Sequence, residues 1–344
     1  MNKLLSLSVF TILIFILTAC TLGVDTDGEV VTVYSERHYD TDQALFDQFE
    51  TETGIEVQVI KAGADELITR LETEGEDTSA DVLIVSDAGR LHLAKDKGLL
   101  QSVESDVIET NVPSQYRDID NMWIGLTMRA RVLVYHPDRV NESELSTYEA
   151  LTESEFNDRI VVRTGSNIYN QSLVASFLEI HDEAYVRNFI SRLVDNFARA
   201  PQGNDRDQAK AVMAGEADIA IMNTYYMGKM ANSSDSYEVD VANALNIFFP
   251  NQETTGTHVN VSGAGVTKHA PNTENAVKLI EFLTSESAQS SFANANYEYP
   301  VNPLVNPSDL LASWGTFVAQ DISLTALGEN ANQAAIIMDE EGWN

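Results

Sequence analysis

Cysteine is nearly missing from this 344-residue chain. Cys20 is the only one, which excludes an internal disulfide, a thiolate zinc site and a cysteine-held iron–sulfur cluster. Basic residues are scarce as well, 21 Lys and Arg against 53 Asp and Glu, for a formal net charge of −32. That surface does not suit a phosphate backbone, so nucleic acid is excluded as a partner; cations would be drawn toward it. Beyond the N-terminal segment there is no run of ~18 apolar residues, so no membrane-spanning helix is expected there. Gly-x-x-x-x-Gly-Lys-Ser/Thr, Gly-x-Ser-x-Gly and His-Glu-x-x-His are all lacking, which removes the support for P-loop, serine-hydrolase and zincin chemistry. His92, His136, His181, His258 and His269 have no ligand spacing, and no pair of acids is fixed at a separation for glycoside hydrolysis. The chain is therefore not expected to be an enzyme. What it has is 44% hydrophobic residues, enough for a sizeable core.

Met1-Asn2-Lys3 makes a short basic start, and residues 4–17 are an apolar run of signal-peptide length, too short for a comfortable span. The run ends in Leu17-Thr18-Ala19-Cys20, which resembles a bacterial lipobox. The resemblance implies a signal peptide over 1–19, cleavage before Cys20, lipidation of its thiol, and a polar lipidated tether over 20–29. The folded part is then extracytoplasmic and anchored to a membrane, in a periplasm or on the outer face of the cell membrane, away from cytosolic ATP and NAD.

From residue 30 onward, strands and helices alternate. Residues 30–34 are β-rich; 40–53 read as a helix with Leu45, Phe46 and Phe49 as its stripe and Gly54 as its stop; 55–60 form the next strand. A helix over 65–74, a buried strand over 80–85 and a short helix over 91–97 continue the series, which predicts a parallel sheet covered on both faces. A strand over 131–136 is stopped by Pro137. A second series has a strand at 160–163, helices at 170–179, 182–195 and 205–214, and a strand at 217–222, with a further strand at 260–266 and helix at 274–284. Two α/β series predict two lobes around a central cleft, lobe 1 from 30–130 and 245–298, lobe 2 from 131–244 and 299–344. Residues 129–135 are the candidate crossing strand, and a second crossing is expected between Tyr226 and Phe248.

Open α/β sheets bind ligands beyond the carboxyl ends of their strands. At those ends stand Ser35-Glu36-Arg37-His38-Tyr39, Ser166-Asn167-Ile168-Tyr169 and Asn223-Thr224-Tyr225-Tyr226. Four of the chain's 12 tyrosines and one histidine thus face the cleft from three distant stretches. Phenolate is an anionic oxygen donor suited to a hard trivalent cation, above all ferric iron. Four phenolates against Fe³⁺ leave about one negative charge in excess, so a guanidinium is expected nearby, with Arg129 on the crossing strand as the candidate. Tyr34 and Tyr135 lie inside strands and are expected in the core; Tyr297 and Tyr299 are assigned to packing.

At these residues the chain resembles the ferric-iron-binding lipoproteins of bacterial ABC importers, of the type known from cyanobacteria. The matching segments are Val33-Tyr34-Ser35-Glu36-Arg37-His38-Tyr39, Ser166-Asn167-Ile168-Tyr169-Asn170-Gln171-Ser172, Pro201-Gln202-Gly203-Asn204-Asp205-Arg206-Asp207-Gln208 and Asn223-Thr224-Tyr225-Tyr226. The resemblance implies a two-lobed periplasmic-binding-protein type II fold with crossing hinge strands. It implies His38, Tyr39, Tyr169, Tyr225 and Tyr226 as iron ligands. His38 beside Tyr39 fits the branch that uses protein ligands alone. It also implies Fe³⁺ as transported ligand, a permease and its ATPase as partners, and a monomeric receptor. A second reading keeps the scaffold but has it hold an organic cation such as a polyamine, between cleft carboxylates and aromatic walls such as Trp123. An extracellular enzyme is the third and least supported.

Overall fold

The computed structural model describes residues 29–37 and 39–344. The expectations for the signal peptide, for Cys20 and its tether as far as residue 28, and for His38 lie outside the described residues.

The strands are β1 (Val30–Ser35), β2 (Glu56–Lys61), β3 (Val82–Val85), β4 (Ile124–Tyr135), β5 (Ile160–Val161), β6 (Ile219–Asn223), β7 (Asn246–Phe248), β8 (Val259–Val266) and β9 (Tyr299–Pro300). Among the described residues these nine form a curled sheet in the order β2-β1-β3-β8-β4-β6-β5, with β7 and β9 also paired to β4. β1 runs parallel to β2 and β3, and β5 parallel to β6, as the alternation predicts. The sheet as a whole is mixed, because β8 is antiparallel to both β3 and β4, and β4 to β6. A parallel pair requires a crossover connection between its two strands, and β8 enters between β3 and β4 from far along the chain without one.

β4 organises the molecule. All 12 of its residues are buried, and it begins seven residues before the expected 131. Although β4 is covered on both faces, Ile124, Leu126 and Met128 alternate with Gly125 and Thr127, a strand period that the expected start at 131 passed over. Residues 124–130 pair with β8, and residues 131–135 with β6. β7 pairs with β4 at residues 133–135 and β8 with its other half, so the chain returns between Phe248 and Val259, later than the expected crossing. The fit between expected and observed helices is close elsewhere: Asp40–Thr53 and Asp205–Ala214 have the predicted bounds.

Two apolar clusters fill the interior. One includes Val31, Phe49, Leu83, Trp123 and Val261; the other includes Leu133, Tyr135, Phe156, Phe177 and Ile219. The C-terminal helix Ala331–Glu340 joins the second cluster through Ala334, Ile337 and Met338. Among the described residues no helix is long and apolar enough to cross a membrane.

Candidate metal centre

Tyr39 stands where the chain leaves β1. Ser35 Oγ accepts from the Arg37 N–H at 3.0 Å, turning the loop, and Tyr39 in extended backbone caps the helix Asp40–Thr53. Arg37 is buried and bonded to Asp42 and Glu298, each at 3.0 Å, so its charge is matched within the protein. The Lys229 ammonium lies 3.6 Å from the centroid of the Tyr39 ring, and the Arg37 guanidinium carbon 5.2 Å from it.

Tyr169 is set in the first turn of the helix Ile168–Ile180, where the Asn167 side chain caps by accepting from the Tyr169 N–H at 3.1 Å. Tyr225 and Tyr226 occupy the first turn of the helix Thr224–Ala231, which follows β6 without a loop. Both helix starts present the positive end of the backbone dipole, which favours an anionic oxygen. The rings of Tyr225 and Tyr226 are 4.2 Å apart and tilted by 31°. Tyr225 donates its hydroxyl hydrogen to the Tyr169 hydroxyl at 3.2 Å. The guanidinium carbons of Arg129 and Arg163 lie 5.6 and 5.3 Å from the Tyr169 ring centroid.

The four phenols act on one another. Burial first, then the Glu298 carboxylate and the Tyr226 phenol, push Tyr39 above the ordinary tyrosine range. Burial first, then Tyr226, raise Tyr169, and Tyr39 adds to that. Burial first, then Tyr169, Tyr226 and Tyr39, raise Tyr225. Each cost falls on the phenolate, so Tyr39, Tyr169 and Tyr225 keep their protons at neutral pH.

Behind the phenols runs a buried polar frame. Arg131 donates to Asp205 at 3.0 Å, Asn223 at 3.2 Å and Asn170 at 2.6 Å, joining β4, the end of β6 and two helix starts. Arg129 donates to the Ser86 carbonyl and lies 3.5 Å from Asp87. Asp87 accepts from Ser172 Oγ at 2.9 Å and Asn260 at 2.8 Å, so the end of β3 is tied to the helix carrying Tyr169.

The structure thus brings Tyr39, Tyr169, Tyr225, Tyr226 and Arg129 together. Arg163, Lys229 and the Arg131–Asp205 pair were missed. The signal for the last was present: Arg129 and Arg131 sit two apart in an apolar strand, hence on one face, and buried charge needs a partner. Trp123, considered as a wall for an organic cation, is fully buried in the core. Tyr34 and Tyr135 are core residues as expected, and Tyr299 packs edge-on to Phe317. Among the described residues no group of three or more His, Cys, Asp or Glu could hold a metal ion.

The profile of the bacterial extracellular solute-binding proteins matches residues 34–290. The chain is 48% identical over 321 residues to iron uptake protein A1 of Synechocystis sp., covering 93% of this chain and 89% of that protein. It is similar to the solved structure of a Trichodesmium protein (IdiA, FutA) in complex with iron and citrate, with 43% identity and a TM-score of 0.89 over 92% of this chain and 100% of that one. Apo FutA2 from Synechocystis matches with 44% identity and a TM-score of 0.87, again over 92% and 100%. The two-lobed α/β fold expected from the sequence is the fold of these structures.

Proposed function

We propose that this chain, which belongs to the bacterial extracellular solute-binding proteins, is a ferric-iron receptor that delivers iron to an ABC importer. The observation that carries the reading is the gathering of four phenols, Tyr39, Tyr169, Tyr225 and Tyr226, from three distant parts of the chain. Fe³⁺ is the transported ligand. Ferric iron is hard enough to replace phenolic protons, and the phenolates so formed are its ligands. His38, adjoining Tyr39, is assigned as the fifth ligand. Arg129 and Arg163 lie against the phenols and offset the excess negative charge. The elements paired with the two halves of β4 are the lobes; they close on the metal, with β4 and residues 249–258 as the crossing segments.

An organic cation is disfavoured by the same site. Arg37, Arg129, Arg163 and Lys229 crowd the phenols, and Asp42 and Glu298 are already paired with Arg37. No catalytic role is assigned. The receptor is extracytoplasmic, works as a monomer with a permease and its ATPase, and is held to the membrane through lipidated Cys20. Cys20→Ala should release it from membranes or block processing; a correctly cleaved mutant retained on the membrane would refute the anchor.

Metal analysis of the purified protein tests the function. One iron per chain and a visible phenolate-to-iron absorption band are expected. Tight binding of a polyamine to protein that takes up no ferric iron would overturn the reading.

A further inference from the structure

We propose that Tyr297, seated on Gly228, is a positioning residue that latches the helix carrying Tyr225 and Tyr226 onto the loop carrying Tyr39, independently of metal. Its consequence for iron rests on the ferric-iron reading; its geometry does not. Tyr297 has a φ of 58°, the left-handed region that an aromatic residue adopts only where its surroundings hold it. Its side chain lies against the helix Thr224–Ala231. A Cβ added at Gly228 would stand 2.4 Å from the Tyr297 Cβ and 2.5 Å from its Cγ, so only glycine admits this approach.

The contact crosses the seam. Tyr297 precedes β9, which pairs with Thr127 and Met128 on the β8 side of the molecule. Gly228 belongs to the helix that leaves β6, on the other side. The next residue along the helix, Lys229, repeats the tie across the seam, while the next residue after Tyr297, Glu298, anchors the Tyr39 segment on its own side. Glu298 accepts from buried Arg37, two residues before Tyr39, and Lys229 holds its ammonium 3.6 Å from the centroid of the Tyr39 ring. Residues 228–229 and 297–298 therefore bind both ends of the candidate site to each other with protein groups alone.

The test compares iron-free and iron-loaded wild-type protein with Gly228→Ala, Tyr297→Gly and the double variant, by small-angle scattering and by chelator competition for ferric iron. Iron-free Gly228→Ala should have a larger radius of gyration than iron-free wild type. It should bind ferric iron at least ~tenfold more weakly, with a shifted visible band. Tyr297→Gly should show the same direction. The double variant should be no worse than Tyr297→Gly alone, because the added methyl then meets no ring; this non-additivity marks a direct contact. Equal radii for the iron-free proteins, or losses that simply add, would overturn the latch. Wild-type protein that binds no ferric iron would refute the functional reading instead, and the metal-free radii would still decide the latch.

Discussion

One phenol of the candidate site stands on the β1 side of the shared strand and three stand on the β6 side, and the two sides hold them differently. Tyr39 is half-buried at the N-cap of the helix Asp40–Thr53, against Lys229 and an arginine whose charge is already matched by Asp42 and Glu298. Tyr169, Tyr225 and Tyr226 sit in the first turns of two helices, in contact with one another and with Arg129 and Arg163. The three-phenol side is fixed by secondary structure and by the Arg131–Asp205 frame beneath it. The one-phenol side is fixed by the buried Arg37–Asp42–Glu298 cluster on its own side and by Lys229 from across the seam. Most of the metal affinity should therefore reside on the first, and the control of entry and release on the second.

Removing the centre of the three-phenol side should have the largest effect. Tyr225→Phe deletes one oxygen, which touches Tyr169 and faces Tyr226. Ferric-iron affinity should fall roughly 100-fold or more, beyond the ~10–100-fold typical of residues behind a ligand, and the visible band should weaken. Chelator competition would check this; an affinity within about threefold of wild type would refute the central place given to Tyr225.

Next come the cations behind that side. Arg163→Ala and Arg129→Ala should each cost about 10–100-fold in affinity. They should part company in stability. Arg129 is buried against Asp87, whose carboxylate is left without its cation, so Arg129→Ala should destabilise iron-free protein by about 3 kcal/mol. Arg163 lies 3.6 Å from Asp205, which keeps Arg131, so its loss should change stability much less. Urea unfolding of the iron-free variants separates the two.

The smallest effect belongs to the other side. Tyr39→Phe keeps the ring over which Lys229 sits and should lower affinity by about tenfold, mainly through faster release. A loss equal to that of Tyr225→Phe would erase the contrast between the two sides.

The α/β class and the three tyrosine segments that come together were legible because strand ends are marked by composition. The apolar runs of β1 and β6 stop at Ser35 and Asn223, and the residues beyond them are polar and aromatic. The start of β4 was legible in the alternation of Ile124, Leu126 and Met128 with Gly125 and Thr127, but that signal was passed over in favour of the apolar run from Val132 to Tyr135. Strand direction was not legible beyond the directly connected βαβ units, so the antiparallel insertion of β8 came from the structure. Lys229 and Arg163 escaped notice for a different reason: a lone cation on a helix or after a strand is usually solvated, and only tertiary packing places these two over phenol rings. Tyr297, assigned to packing, does pack, but against a glycine on the opposite side of the seam.

Titrating iron-free protein with ferric iron at several pH values, while recording visible absorption and proton release, tests whether the metal is held by phenolates drawn from both halves of the molecule. Burial and mutual repulsion keep Tyr39, Tyr169 and Tyr225 protonated at neutral pH, so each phenolate formed must release a proton, and affinity must fall as pH falls. One iron per chain is expected, with a visible band that grows with loading and several protons released per iron, fewer in Tyr225→Phe. Iron uptake with no visible band and no proton release would rule out phenolate ligation.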